Sequence, residues 1–237
     1  MDDFNEKLAN VFEKSSLKTK DKLINFTRFV NRRDLATLLN RYEIYKNIIN
    51  IHGSVIECGV NLGSGLFSWL HFSSILEPYN SSRHIVGFDT FEGFMSVTNE
   101  DEELYNQDTW REFTSKQSYD EIISSVETQN INRPLNHLDK VEVVKGDATS
   151  TIPNYLNKNP HLLVALLHLD FDIYSPTKIA LENFLPRMSK GSIIAFDELN
   201  AHGAPGETLA FLESLEIKKF KLNRNAFDSY ISYIVIE

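Results

Sequence analysis

The chain has 237 residues, 42% of them hydrophobic and 24% charged, with a formal net charge of −9. That length suits one large domain, or one domain with an appendage, and the composition is that of a globular protein with a sizeable core. The negative balance argues against sequence-independent nucleic-acid binding, and a single cysteine, Cys58, excludes an intrachain disulfide and a cysteine-based zinc site.

The N-terminal stretch MDDFNEKLANVFEKSS lacks the apolar core of a signal peptide, and no run approaches the length of a membrane span. The expectation is a cytoplasmic enzyme or binding domain with no membrane and no nucleic-acid partner. Residues 1–50 read as helical. Phe4, Leu8, Val11 and Phe12 recur at helical spacing, as do Leu35, Leu38, Leu39, Tyr42, Tyr45 and Ile49. These stripes predict an N-terminal helical appendage that packs on the main domain or on a twin subunit, giving a homo-oligomer.

From His52 onward strands alternate with helices, so that residues 51–237 form the main domain. Strands are expected at Ser54–Val60, His84–Thr90, Val141–Lys145, Leu162–Leu169 and Ser192–Phe196, and a closing antiparallel pair at Phe220–Leu222 and Tyr230–Ile236. Helices are expected at Ser64–Leu76, Ser118–Val126, Pro176–Met188 and Glu207–Leu215. Alternating elements with nearly continuous apolar strands define an α/β fold, a mostly parallel seven-stranded sheet covered on both faces. Residues 94–117, aperiodic and acidic at Glu100–Glu103, read either as a lid over a site or as a solvated excursion.

Ligands of such sheets bind at the carboxyl ends of the strands. Glu57, Asp89, Asp147, Asp170 with Asp172, and Asp197 with Glu198 all fall near those ends. The turn Glu57-Cys58-Gly59-Val60-Asn61-Leu62-Gly63-Ser64-Gly65 has Asn61 where a dinucleotide fingerprint needs its second glycine, and there is no phosphate loop. An acidic residue before the glycines suits a ligand carrying an ammonium and a sulfonium, which S-adenosylmethionine does. Asp89 can accept both ribose hydroxyls and Asp147 the adenine amino group. The expected cofactor set is Glu57, Gly59, Gly63, Ser64, Asp89, Thr90, Asp147 and Ala148. A ligand-free tight turn would use the same glycines, and helix capping the same aspartates.

The segments IECGVNLGSG, VGFDTFEGF, LLHLDFDIYSPTKIALENFLPRMSKGSIIAFDELN and PGET together resemble the macrocin O-methyltransferase family. The likeness runs from about Ser54 to Leu215 and leaves out the N-terminal helices and residues 94–117. It implies a Rossmann-like class I methyltransferase that moves a methyl group from S-adenosylmethionine to a sugar hydroxyl. It also implies Mg²⁺ held by Asp170, Asp197 and Glu198, a hard cation on oxygen ligands. Related members are called cephalosporin hydroxylases, and a catechol or other small diol is the alternative acceptor.

A cation answers why Asp170 and Asp172 close so apolar a strand, since an unpaired buried carboxylate is costly. Asp172, two residues on, shares a face with Asp170 if the chain stays extended. Either is a candidate general base or its immediate support. His168 is expected in the core with a hydrogen-bond partner, and His202 in a loop. Glu207 is assigned either to a helix dipole or to the acceptor, and Phe94, Trp110 and Tyr174 either to a stacked sugar or to packing.

Overall fold

The computed structural model describes residues 2–102, 118–202, 204–227 and 230–237. Seven strands form one sheet in the order β3-β2-β1-β4-β5-β7-β6. They are β1 (Ser54–Cys58), β2 (Ile85–Asp89), β3 (Val141–Lys145), β4 (Val164–Leu169), β5 (Met188–Phe196), β6 (Asn223–Arg224) and β7 (Ser232–Val235). Neighbours among β1 to β5 pair in parallel, and β7 runs antiparallel to both β5 and β6. Every residue of β1 and β4 is buried, as expected of strands covered on both faces.

Alternation along the strands divides the core. Ile56, Cys58, Val86, Phe88, Leu167, Leu169, Ile194 and Phe196 face one layer. It includes α7 (Ala148–Lys158), α8 (Tyr174–Phe184) and α9 (Pro205–Ser214). Val55, Ile85, Leu166, Ile193 and Ala195 face the other, with α3 (Arg32–Asn47), α4 (Ser64–Leu76) and α6 (Ser118–Ile131). Short helices α2 (Thr19–Ile24) and α5 (Asn99–Glu102) and the N-terminal α1 (Asp2–Lys14) complete the helices used below. No helix among the described residues is long and apolar enough to cross a membrane.

Several boundaries move from their expected positions for local reasons. β1 stops at Cys58 because Gly59 turns to φ 96°. The helix expected to reach Met188 ends at Phe184. A 3₁₀ turn, Leu185–Arg187, carries Pro186, and β5 then begins four residues earlier than the apolar run suggested. The strand expected at Phe220–Leu222 forms instead at Asn223–Arg224, after a 3₁₀ turn at Ile217–Lys219.

Of the stripe Leu35, Leu38, Leu39, Tyr42, Tyr45 and Ile49, Tyr45 alone is fully buried, joined by Ile44 and Ile48, which the stripe does not include. Tyr45 stacks on Trp69 at 6.3 Å and donates to Glu77 Oε2 at 2.6 Å. Leu39 stays exposed, as do Phe4 and Val11 on α1.

The register decides what meets at the site. Cys58 lies opposite Phe88 and Leu169, and Leu169 opposite Phe196. The ladder then continues one residue beyond each strand: Gly59 N–H donates to Phe88 O (2.9 Å), Asp170 N–H to Cys58 O (2.8 Å) and Asp197 N–H to Leu169 O (3.1 Å). Asp89, Gly59, Asp170 and Asp197 therefore form one row across four strand ends, with neighbouring strands about 4.8 Å apart.

Candidate active site

The row borders a cavity lined by Gly59, Asn61, Asp89, Thr90, Asp147 and Ala148 on one side and by Asp170, Phe171, Asp172 and Ile173 on the other. Phe94, Met95 and Ser96, the start of the stretch read as a lid or a solvated excursion, also line it beyond the end of β2. Of the expected cofactor set, Gly59, Asp89, Thr90, Asp147 and Ala148 reach the cavity; Glu57, Gly63 and Ser64 do not line it.

Each of those three has another task. Glu57 is buried under α4, where Trp69 Nε1–H donates to Oε2 and His168 Nδ1 lies 3.4 Å away. A Cβ on Gly65 would stand 1.7 Å from Glu57 Oε1, so this glycine lets strand and helix close on the carboxylate. Gly63 starts α4 in the left-handed conformation at φ 89°. Ser64 Oγ accepts from Arg41 Nη1 at 3.1 Å. His168 is a core histidine set edge-on to Trp69 at 5.5 Å, but neither ring nitrogen makes the hydrogen bond expected of it.

The two aspartates of the cavity brace its walls. Asp89 accepts from three backbone N–H groups: Val60 (2.8 Å) and Asn61 (2.7 Å) at Oδ2, and Phe91 (2.7 Å) at Oδ1. It locks the glycine turn to β2. Asp147 caps α7, accepting from Thr149 N (2.9 Å) and Thr149 Oγ1 (2.8 Å), and its second oxygen accepts from Ser96 Oγ. Burial disfavours ionisation of Asp147, but the Ser96 and Thr149 hydrogen bonds outweigh it and hold its pKa below the usual value.

Residues 98–102 carry an anchor that the acidic run hid. Asp101, 1% exposed, accepts from Tyr174 N at 2.9 Å through Oδ1 and from Thr98 N and Thr98 Oγ1 through Oδ2. The rest of the expected lid, residues 103–117 with Trp110, lies outside the described residues. The Tyr174 hydroxyl donates to Glu213 and accepts from Lys178. His202 is exposed.

Five carboxylates act on one another at the far side of the cavity. Burial pushes Asp170 well above the carboxylate range, and Asp197, Asp172 and Glu57 push it further, while Arg41 opposes them. Burial raises Asp172 to about 8, aided by Glu198, Asp197 and Asp89. Glu198 is raised by burial and by Asp197. Glu207, fully buried, is raised by burial; its Oε1 accepts from Glu198 N–H at 3.0 Å and its Oε2 has no partner.

Alternation does not bring Asp172 beside Asp170. Asp172 sits at φ 64°, outside the extended region, and a left-handed turn directs it to the same cavity. Among the described residues, no three His, Cys, Asp or Glu side chains stand in the arrangement of a metal shell. The donor chemistry is nevertheless that of a hard cation: several oxygen ligands, part-buried and mutually repelling.

A sheet of this order, with its cavity beyond the ends of β1, β2 and β4 and an acid on the β2 end, defines a class I methyltransferase. The macrocin O-methyltransferase (TylF) family matches residues 21–222, and the chain belongs to that family. It is an O-methyltransferase that uses S-adenosylmethionine. The solved structure of CalS11, a calicheamicin methyltransferase, is 31% identical, covering 98% of this chain and 90% of its own, with a TM-score of 0.92. An apo structure of CalS11, described as a TDP-rhamnose 3'-O-methyltransferase, aligns at 28% identity over 98% and 92% of the two chains, with a TM-score of 0.85. The O-methyltransferase NovP shares the fold at 19% identity, over 85% of this chain and 79% of that one, with a TM-score of 0.60. A comparison with curated proteins finds no match.

Proposed function

We propose that the protein methylates a hydroxyl of a sugar, in the form of a nucleotide-linked sugar, glycoside or surface-glycan precursor, with Mg²⁺ as a required ion. The observation that carries this reading is the row of strand ends, where the cavity of the methyl donor and the carboxylate group share Asp170 and Asp172. CalS11, described as acting on TDP-rhamnose, supports the acceptor class.

Asp170, Asp197 and Glu198 would hold the ion. When bound, its charge would keep these acids ionised and make a nearby acceptor hydroxyl more acidic. The chain's own residues do the remaining work. The Asp89-braced turn and the Phe94–Ser96 wall fix the donor. Asp172, in its ionised form, takes the acceptor proton. The hydroxyl oxygen then attacks the methyl carbon of the sulfonium in line, the O–C bond forming as the C–S bond breaks and a neutral thioether leaves, and positioning supplies much of the rate. Exposed Phe4, Val11, Leu23, Ile24 and Phe26 in the first 28 residues support a homo-oligomer formed through the N-terminal helices.

The test is mass spectrometry of products from labelled S-adenosylmethionine, offered a panel of nucleotide-linked deoxysugars and, separately, catechols. Sugar methylation that stops in EDTA and returns with Mg²⁺ is expected. Methylation of catechols alone would refute the acceptor class, and full turnover in excess EDTA would refute the ion.

A further inference from the structure

The PGET segment, Pro205–Thr208, opens α9 but does not serve that helix alone. Glu207 stands in the first turn, where a carboxylate can reach back to the backbone N–H at the helix start. Here that N–H, on Ala204, is taken by Ala201 O at 3.2 Å. Glu207 reaches away from its helix instead, and its Oε1 accepts from Glu198 N–H at 3.0 Å. The next residue does the same: Thr208 Oγ1 accepts from Asn200 N–H at 3.0 Å.

Both N–H groups belong to the turn that carries the acids after β5. Ala201 N–H closes this turn on Glu198 O at 3.1 Å, and Asn200 is left-handed within it at φ 65°. Asp197 N–H is held by β4, through Leu169 O. The backbone from Asp197 to Asn200 is therefore gripped on two sides, by the sheet at Asp197 and by the start of α9 at Glu198 and Asn200. Such support matters because Asp197 and Glu198 are neighbouring acids that repel each other, and a freely pivoting turn would swing them apart.

The same helix start meets the other acidic run. A Cβ on Gly206 would stand 2.5 Å from Tyr174 N and 2.9 Å from Ile173 C, so this glycine lets α9 close on the chain just after Asp172. Glu207 itself is fully buried and takes no part in lining the cavity. With Oε2 unpartnered, a carboxyl there costs more than an apolar side chain of similar size would. What it supplies in return is the acceptor for Glu198 N–H.

We propose that Glu207 and Thr208 are positioning residues, which act through the Glu198 and Asn200 N–H groups to hold the Asp197 and Glu198 carboxylates at the row of strand ends. The proposal rests on the reading that these acids hold the ion, and deepens it. The start of α9 becomes the seat of the ion's ligands, while Glu207 and Thr208 touch neither ion, donor nor acceptor.

Three measurements test it across four variants: calorimetric titration with Mn²⁺ alone, S-adenosylhomocysteine affinity, and kcat with the acceptor that the sugar panel yields. Glu207→Leu removes the acceptor of Glu198 N–H and should lower both Mn²⁺ affinity and kcat about 10- to 100-fold, the usual effect of losing a group that orients metal ligands. Glu207→Gln, whose amide oxygen can accept the same N–H, should recover most of both. Thr208→Val should show a smaller loss of the same kind, and Thr208→Ser should reverse it. S-adenosylhomocysteine affinity should hold in all four, since the Gly59 turn and Asp89 lie on other strands.

A Glu207→Gln protein as impaired as Glu207→Leu would make the carboxylate itself a ligand or a base and overturn the proposal. Wild-type Mn²⁺ affinity and kcat in Glu207→Leu would overturn it too, as would S-adenosylhomocysteine affinity that falls in step with Mn²⁺. The Thr208 pair decides the matter if Glu207→Leu does not fold. A wild-type protein that binds no Mn²⁺ and turns over in EDTA would refute the ion, and the contrast in kcat between Glu207→Leu and Glu207→Gln would still decide the positioning role.

Discussion

A side chain at Gly59 has nowhere to go. Its Cβ would stand 1.9 Å from Asp170 O, and its φ of 96° is one that L residues rarely adopt. The obstacle is the backbone of β4, not the cofactor, although the sequence places this glycine where a donor would pass. Gly59→Ala should therefore destabilise the fold by roughly 2 kcal/mol or more and loosen the row that holds Asp170. Melting temperature and S-adenosylhomocysteine affinity should both fall; an unchanged melting temperature would show that the two strand ends can part freely. Asp172 behaves differently, since it lines the cavity without bracing it. Asp172→Asn should keep cofactor affinity while lowering kcat about 10²- to 10⁴-fold, the usual worth of a general base. The acids were legible as residues because carboxylates at the ends of apolar strands demand a reason. Their division of labour was legible only in part. Capping by Asp147 is an alternative the sequence leaves open, since its partner Thr149 is two residues on. Its tether to Ser96, 51 residues away, and the role of Glu57 as a buried strut under Trp69, 12 residues on, depend on side chains farther off along the chain.

At the scale of elements, the strands and most helices could be read from apolar periodicity, since burial on two faces leaves a continuous signature. What periodicity missed was coupling between elements through buried charge. Arg83, just before β2, donates to Glu77 at 2.9 Å and also to Gly53 O and Ile48 O, while Tyr45 of α3 donates to the same carboxylate. One guanidinium thus joins α3, the start of β1 and the end of α4. Nothing in the local sequence marks it, because its partners lie 6, 30 and 35 residues away. Arg83→Ala would strand Glu77 in the interior and should cost about 3–5 kcal/mol in denaturant unfolding, as when one partner of a buried pair is removed. A loss below about 1 kcal/mol would mean that water replaces the guanidinium. Asp101 is a smaller case. By holding Tyr174 N–H it fixes the run that follows the Phe94–Ser96 wall. Asp101→Ala should raise the KM for S-adenosylmethionine more than it lowers kcat; the opposite split would place Asp101 nearer the chemistry.

Across the whole molecule, buried charge among the described residues is unevenly placed along the strands. Most of the site's acids gather at the carboxyl ends, while Arg83 sits ahead of β2, where Glu77 pairs with it, and Lys140 sits ahead of β3. Lys140 is 7% exposed and its Nζ donates to Asn80 O at 2.7 Å. Burial lowers its pKa to about 8; Glu77 opposes the shift, while Arg133 and Arg83 add to it. The unfolded chain keeps the ordinary lysine value near 10.4. Between about pH 8 and pH 10 the unfolded state therefore binds more protons than the folded one, and stability rises with pH. Below pH 8 both states are charged and the burial cost, on the order of 1–3 kcal/mol, is present in full. Lys140→Met removes the titration and gives up one hydrogen bond worth about 1 kcal/mol. Its stability should be level with pH across that window relative to wild type, so the advantage of the variant is greatest at pH 7 and shrinks toward pH 10. Tyr45 and Tyr155, whose pKa values burial pushes upward, contribute equally to both proteins and cancel in the difference. Denaturant unfolding of the two proteins at pH 7, 8, 9 and 10 measures that difference directly. Parallel stability curves would show that Lys140 keeps its proton in the folded state throughout the window.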